Sequence, residues 1–295
     1  MQLDLSKKAV QWFVLCGLAF VWGSSYFFIK MGLRSFAPLE LALLRISIAF
    51  LVLLPVVLPQ IKYLKRRNIL PLIVVGLLGN GFPALLFALA QTSLSSSFAG
   101  ILNSMVPVWT LLIGLIVFKV KFLKVNLIGI FIGFLGAILL VWIDSSNNVS
   151  FTYMGAIYVV LATLCYGTSV NIIKESLVEL PPRAITAFAF LFMGIPTLLI
   201  TILLGIPMKA FQPDVIKDFG YIILLSVFGT ALAVLYFNKL IKYTSAIFAT
   251  TVTYLIPIVA VFWGVLDGEA VTGMHIVACL IILVGVYLVN LKKKV

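Results

Sequence analysis

Two short stretches of the sequence place small polar and aromatic residues inside otherwise apolar segments. They are VWGSSYFFIK at residues 21–30 and CYGTSVNIIK at residues 165–174. Inside an apolar helix, serine and threonine hydroxyls either hydrogen-bond across a helix contact or line a cavity, and glycine lets helices approach closely. An aromatic ring with a polar edge suits the wall of a pocket for an organic solute. The pattern therefore indicates helix packing or a binding cavity, with these candidate residues: Trp22, Ser24, Ser25, Tyr166, Thr168 and Ser169.

Arg45 is the one basic residue that falls well inside a predicted apolar span, since Lys30 lies near the end of its span. A charge at the centre of a span costs at least about 2.5 kcal/mol on insertion scales, and less near an interface, so the guanidinium needs a compensating partner. Two placements are open. The side chain reaches the outer lipid head groups, or it faces a cavity and pairs with a carboxylate of the substrate. We favour the second placement.

Polar residues near glycine and proline are further candidates for the same cavity. In GNGFP at residues 79–83, two glycines and a proline surround an asparagine, a composition that weakens a helix. A weak point at membrane depth is tolerated only against protein or a water-filled cavity. Polar residues also precede the prolines at positions 107 and 257. These patterns add Asn80 with its counterpart Thr230, and Asn103 and Tyr254 with their neighbours Ser104 and Thr253.

Acidic residues are few and lie away from the predicted spans. All nine fall in loops or at span ends, so none is well placed as an intramembrane proton relay. The sequence has no G-x-x-x-x-G-K-[ST] loop, which excludes direct use of ATP. Paired acids, a histidine cluster or a metal-ligand spacing at depth would favour a membrane enzyme, and the sequence contains none of them. We expect no catalytic residues, no metal and no cofactor.

The composition indicates which elements position these residues. The chain is 63% hydrophobic and 10% charged, with a mean hydropathy of +1.23. Soluble domains have roughly 25% charged residues, so this chain cannot cover a water-facing surface. It is predicted to be an all-α integral membrane protein, because only helices satisfy their backbone groups in lipid without forming a closed barrel. Ten apolar windows are predicted to span: 11–33, 38–58, 69–90, 96–118, 125–143, 153–173, 184–204, 219–238, 246–266 and 273–290.

Basic residues predict the orientation of these spans. With the N-terminus inside, the cytoplasmic segments hold sixteen of the 21 lysines and arginines, and the opposite side holds four: Lys30, Arg34, Lys209 and Lys217. This bias predicts a multi-pass protein of the cell membrane with both termini in the cytoplasm, and the net charge of +12 then reflects orientation instead of nucleic-acid binding. The loops at 144–152 and 266–272 contain no lysine or arginine and are expected outside.

The two halves of the chain repeat each other. With an offset of 144, Gly23 aligns with Gly167 and Lys30 with Lys174, and farther on, with an offset of 150, Pro107 aligns with Pro257. Two units of five helices are predicted, at about 1–150 and 151–295. Because five is odd, the second unit enters the membrane from the other side. An inverted repeat of this kind is typical of transport by alternating access around a central site.

These residues resemble a known family. The chain has W-G-S-S in the first span, Pro38 and Arg45 in the second, T-S before the fourth and ninth, and prolines within those two spans. In this order the motifs are similar to those of EamA-type members of the drug/metabolite transporter superfamily over nearly the whole chain. The resemblance implies ten helices around a central cavity and export or exchange of small metabolites, often amino acids or their derivatives. The second unit departs from the pattern, with Tyr166 in place of tryptophan and no counterpart of Arg45.

The sequence therefore predicts a secondary transporter of small metabolites. A flippase for lipids or lipid head groups and a channel-like facilitator remain alternatives. The expected partners are a small-molecule substrate and the lipid bilayer, with no nucleic acid, and the protein is expected to act as a monomer or a homodimer.

Overall fold

Helices make up the fold. The computed structural model describes residues 4–94, 96–145, 153–266 and 273–289, and these contain helices and connecting turns without a β-strand. In the first half, α4 has two parts joined by a 3₁₀ turn at Asn103–Met105. The helices of this half are α1 (Lys8–Gly32), α2 (Pro38–Gln60), α3 (Arg66–Ala90), α4 (Ser96–Leu102 with Val106–Ile116) and α5 (Lys124–Ser145).

The second half has a similar series of helices and one addition. A short helix, Ile206–Ala210, follows Gly205, whose φ of +66° lets the chain reverse after the helix that ends at Leu203. The helix ends differ from the predicted windows by no more than five residues; the helix predicted at 219–238, for example, continues to Tyr243. The helices are α6 (Tyr153–Ser176), α7 (Pro182–Leu203), α8 (Ile216–Tyr243), α9 (Ala246–Thr250 with Val252–Leu266) and α10 (Gly273–Val289).

The lengths and surfaces of the helices fit a lipid bilayer. Within the described residues, α1, α2, α3, α6, α7 and α8 are long and apolar enough to cross a membrane, and the remaining apolar helices are shorter. Large apolar side chains also face outward; Phe13, Leu58 and Phe131, for example, are each more than 60% exposed. Such a surface is stable in hydrocarbon and not in water. The chain is a multi-pass membrane protein.

Two helices contain a π-helical turn at the same relative position. The first lies at Leu77–Gly81 in α3 and the second at Val227–Leu232 in α8, 150 residues later. The glycine- and proline-rich sequence predicted a weak point in α3, and the helix is widened there and continues at Phe82. Wider turns of this kind often occur at functional sites, because they change the direction in which side chains and carbonyls point.

The packing of the helices is reciprocal between the halves. Helix α1 of the first half packs against α8 and α9, and α6 of the second half packs against α3 and α4. Helices α2 and α7 pack along each other, as do α5 and α10. At the second of these contacts a Cβ on Gly285 would lie 2.4 Å from the backbone nitrogen of Gly133. The small-residue spacing of Gly129 and Gly133 thus serves helix packing.

Two apolar cores lie toward opposite ends of the bundle. One includes Leu15, Leu72 and Leu180, at the end where α1 and α3 begin. The other includes Phe36 and Phe219, at the opposite end. Parts of the predicted topology lie outside the described residues, namely most of the loops at 144–152 and 266–272, the boundary between the two units at 150 and 151, and the last six residues.

Candidate functional site

A cavity lies between the two apolar cores. Its empty volume is about 980 Å³, a figure that includes the open space at its mouth. Residues of both halves line it, from helices α1, α2, α3 and α4 and from α6, α8 and α9. Both halves of the chain therefore contribute directly to the same cavity.

Nine of the thirteen candidates from the sequence line this cavity: Trp22, Ser25, Arg45, Asn80, Asn103, Tyr166, Ser169, Thr230 and Thr253. Ser24, Ser104, Thr168 and Tyr254 do not. The hydroxyl of Ser24 donates to the carbonyl of Phe20 at 2.8 Å, and that of Thr168 to the carbonyl of Leu164 at 2.8 Å. Tyr254 is fully buried, and its hydroxyl donates to the carbonyl of Ile130 at 3.0 Å, in the contact between α9 and α5.

The rotation of each helix explains which neighbours face the cavity. In α1 the lining residues follow the spacing i, i+3, i+4 and i+7, which is one face of a helix, and α6 repeats the spacing. Ser24 and Thr168 fall between these positions. Sequence reasoning missed several residues that this spacing could have found, since they continue the faces defined by Trp22 and Tyr166: Tyr26, Ile29, Val170 and Ile173.

Aromatic side chains form much of the cavity wall. The indole Nε1 of Trp22 donates to the carbonyl of Gly229 at 2.9 Å, and its ring meets Phe237 edge-on with 5.1 Å between centroids. Tyr26 meets Phe87 edge-on at 5.9 Å, and Phe87 stacks on Tyr166 at 6.1 Å. The two phenylalanines were not among the sequence candidates. Such a wall suits an apolar or aromatic portion of a ligand.

The π-helical turns contact serines of the opposite half. A Cβ on Gly229 would lie 2.7 Å from the Oγ of Ser25, and one on Gly79 would lie 2.5 Å from the Oγ of Ser169. Glycine is therefore needed for close approach at both positions. The Ser25 hydroxyl itself donates to the carbonyl of Val21 at 2.9 Å. The two halves are therefore in close contact at these serines and glycines, beside the cavity.

Arg45 is buried in the cavity wall. Its side chain is 8% exposed, and Nε donates to the hydroxyl of Thr230 at 2.7 Å. The guanidinium therefore faces the cavity and not the outer head groups. The acidic residues in the described part of the chain lie elsewhere, since none of them lines the cavity.

Two asparagines add polar groups to the wall. Asn80 and Asn103 are 7% and 5% exposed. The Oδ1 of Asn103 is buried without a hydrogen-bond partner among the described residues, a condition that is costly unless a ligand or water donates to it. The site thus offers a cation, amide groups and aromatic surface. These groups are suited to binding a solute, and the described lining residues include no nucleophile with an adjacent base.

The lining residues of the two halves correspond in pairs. Eighteen of them align at the offsets found in the sequence, 144 for α1 with α6 and 150 for α3 and α4 with α8 and α9. Arg45 is a lining residue without such a counterpart. The pairs are Trp22 and Tyr166, Ser25 and Ser169, Tyr26 and Val170, Ile29 and Ile173, Gly79 and Gly229, Asn80 and Thr230, Phe87 and Phe237, Asn103 and Thr253, and Val106 and Ile256.

Comparison with known proteins gives a family match. The EamA-like transporter family matches residues 10–142 and 153–291. A crystal structure of a protein that is 15% identical in sequence superposes with a TM-score of 0.72 and covers 96% of each chain. At this identity the likeness shows the fold alone.

Similar sequences carry the names of transporters. The "Uncharacterized inner membrane transporter YedA" of Escherichia coli K12 is 28% identical over 287 residues, 95% of this chain and 90% of its own. An "Uncharacterized transporter" of Archaeoglobus fulgidus is 24% identical, covering 96% of this chain and 99% of its own. The "Probable amino-acid metabolite efflux pump" of Salmonella typhimurium is 26% identical, covering 91% and 90%. These names indicate a transporter and not an enzyme.

Proposed function

Since the chain belongs to the EamA-like transporter family, we propose that it is a secondary transporter that carries small metabolites by alternating access. The observation that carries the proposal is the cavity between the two apolar cores, lined by paired positions of both halves. A carrier needs a central site that each side reaches in turn. Two similar halves around one site supply this property when they rock against each other.

The ten helices are proposed to form two inverted repeats of five, at 1–150 and 151–295. Three observations support the repeat. Helices α3 and α8 begin 150 residues apart, as do α4 and α9, while α2 and α7 begin 144 apart. The six additional residues fall between α7 and α8, where the chain forms the short helix Ile206–Ala210. The π-helical turns of α3 and α8 are also 150 residues apart, and the contacts that α1 makes with the second half match those that α6 makes with the first.

Polar contacts join the two halves at each end of the cavity. At one end the Nζ of Lys209 lies 2.7 Å from Glu40, and Ser35 donates to Asp218 at 2.6 Å. At the other end Arg67 pairs with Glu179. By the repeat offset of 144, Glu179 is the counterpart of Ser35. We propose that these contacts open in turn as access alternates, and each is near enough to water for an open state to hydrate its partners.

The substrates are proposed to be amino acids or their derivatives, and the direction export. The name of the Salmonella typhimurium relative supports both statements. A flippase of the same superfamily remains the second proposal for the substrate class. A channel is less well supported, because two similar halves that line one central site are typical of a carrier. The proposal of a carrier is tested by measuring counterflow of amino acids and their derivatives in proteoliposomes, which should be saturable. Flux that does not saturate, and that is not accelerated by solute on the opposite side of the membrane, would overturn the proposal.

The orientation proposed from the basic residues is tested by cysteine labelling. Cys16, Cys165 and Cys279 are replaced by alanine to remove the native thiols. In intact cells an impermeant maleimide should then label Asn147→Cys and Gly268→Cys. Lys65→Cys and Lys242→Cys should be labelled only after the membrane is permeabilised. Labelling of Lys65→Cys from outside would contradict the proposal that both termini are cytoplasmic.

Transport is expected not to require a proton gradient. The acidic residues of the described chain lie outside the cavity, and proton-coupled carriers commonly use a carboxylate at membrane depth. Counterflow in reconstituted vesicles should therefore continue at its full rate after an uncoupler is added. If exchange stops when the proton gradient is removed, an acid such as Glu40 must reach the transport pathway.

A further inference from the structure

The cavity has an uncompensated positive charge. Arg45 is a lining residue, and the described acids have other positions: Glu40 contacts Lys209, Asp218 accepts from Ser35, and Glu179 pairs with Arg67. A buried charge is stable only when an opposite charge or a set of hydrogen bonds compensates it. In the described structure Arg45 donates one hydrogen bond, to a neutral hydroxyl, and the phenol groups of Tyr26 and Tyr166, which are also neutral, lie near it.

The guanidinium has hydrogen-bonding capacity to spare. Arginine has five N–H donors in a planar fork, and Nε of Arg45 uses one of them on Thr230. Among the described residues the two terminal nitrogens have no hydrogen-bond acceptor within reach. A carboxylate accepts from arginine most strongly through two parallel N–H bonds. The fork of Arg45 is therefore open to a carboxylate, and no carboxylate of the described residues lines the cavity.

We infer that the site carries organic monoanions, and that it carries them with their charge and without an accompanying proton. The inference rests on the proposed transport function and narrows its substrate class. A monoanion neutralises Arg45 and leaves the loaded cavity without net charge. A zwitterion leaves the positive charge of its ammonium group in the same cavity, with no carboxylate of the described chain to pair with it. A cationic solute would add a second positive charge to that of Arg45.

The other groups in the cavity wall indicate which chemical groups the anion should have besides its negative charge. The buried Oδ1 of Asn103 accepts a hydrogen bond and has no donor among the described residues, so it suits a neutral N–H. The rings of Trp22, Tyr166 and Phe237 suit an apolar group. A carboxylate, an amide N–H and an apolar side chain occur together in N-acylated amino acids. This class of compound satisfies each unpaired feature of the cavity.

The test uses a series of compounds on one scaffold with different charges. Purified full-length protein is reconstituted in liposomes, and saturable uptake is measured for four solutes: N-acetyl-phenylalanine (anion), phenylalanine (zwitterion), N-acetyl-phenylalaninamide (neutral) and phenylalaninamide (cation). We expect kcat/KM for the anion to exceed that for the neutral compound by about 10- to 100-fold, which is the range for hydrogen bonds to a charged group. The cation should be carried least.

Substitutions assign the preference to one residue. Arg45→Gln should abolish the preference, so that the ratio of kcat/KM for the anion to kcat/KM for the neutral compound falls to about one. Arg45→Lys should retain part of the preference, because it keeps the charge and loses the two-pronged hydrogen bond. Arg34→Gln removes a basic residue that is exposed and outside the cavity, so the preference should not change.

A membrane potential provides a second measurement. Moving one charge across 100 mV is worth about 2.3 kcal/mol, a concentration ratio of about 50. Vesicles held at 100 mV, inside positive, should accumulate the anion up to about 50-fold, and the neutral compound should not accumulate. Accumulation that follows a pH gradient, and that the potential does not drive, would overturn the statement that the anion moves without a proton.

The outcomes separate the inference from the proposed function. If the zwitterion or the cation is transported as fast as the anion or faster, the inference is overturned and the proposal of a transporter remains. A wider panel of metabolites is tested in the same way. If some of them show saturable transport but none of those transported is an anion, the inference is also overturned and the transporter remains. If no compound of the series or the panel is transported by protein that is folded, the proposed function itself fails.

Discussion

Trp22→Ala is expected to lower the apparent affinity for transported solutes about tenfold while the protein still folds. The Trp22 ring forms part of the cavity wall, meets Phe237 edge-on, and donates from Nε1 to the carbonyl of Gly229 in the π-helical turn of α8. An aromatic contact is worth about 0.5–1.5 kcal/mol beyond the area that it buries, and 1.4 kcal/mol corresponds to a factor of ten. The change removes a wall of the cavity and one link between the halves.

The measurement is uptake kinetics normalised to the folded protein in each vesicle preparation. Trp22→Phe keeps an aromatic ring and loses the N–H donor, so its affinity should fall between those of the wild type and Trp22→Ala. Trp142→Ala provides the control, because Trp142 is 70% exposed on α5 and does not line the cavity. Normal transport by a poorly folded Trp22→Ala protein would show that Trp22 serves packing and not binding.

Gly23→Leu is expected to prevent correct packing of α1 against α9 and to reduce the yield of folded protein severely. A Cβ at this position would lie 2.8 Å from both Cβ and Cγ1 of Val259, and 3.5 Å from the carbonyl oxygen of Ile256. The Cβ of Val259 is fixed by its own backbone and cannot move aside, so the helices must separate. Overpacking of this kind typically costs about 1–3 kcal/mol, and a leucine adds three further carbons to the clash.

A matched control lies on the same helix. Gly17 is exposed on α1 and has no atom within 4 Å of the place where its Cβ would be, so Gly17→Leu should yield as much folded protein as the wild type. Monodispersity in detergent and the thermal unfolding temperature measure the difference. The repeat adds a second test, because a Cβ on Gly167 would lie 2.8 Å from the Cβ of Trp109 in the corresponding contact. A well-folded Gly23→Leu protein would contradict the close approach of α1 and α9.

The sequence by itself determined the class of the protein and the course of its helices. A chain with so few charges has to fold in lipid, and in lipid each backbone amide needs a partner within the helix. Charges and turn residues then mark where each helix ends, and the observed ends lie close to the predicted windows. Arg45 and the polar residues at mid-depth could also be recognised, because such residues are costly in lipid and need a specific environment.

The sequence did not determine which of these polar residues face the cavity. Ser24 and Ser25 are adjacent and chemically identical, yet only Ser25 lines it. Consecutive residues of a helix point about 100° apart, and the rotation of α1 depends on the close contact of Gly23 with α9. The same reason separates Thr253, which lines the cavity, from Tyr254, which packs toward α5.

Only the tertiary structure decided the geometry of the candidate site. The second π-helical turn, at Val227–Leu232, lacks the proline that indicated the first. The hydrogen bond from Trp22 to Gly229 joins residues 207 positions apart, and that from Arg45 to Thr230 joins residues 185 positions apart. Local sequence determines helices because their hydrogen bonds are local, whereas a cavity between two halves depends on contacts that form only when the helices pack together.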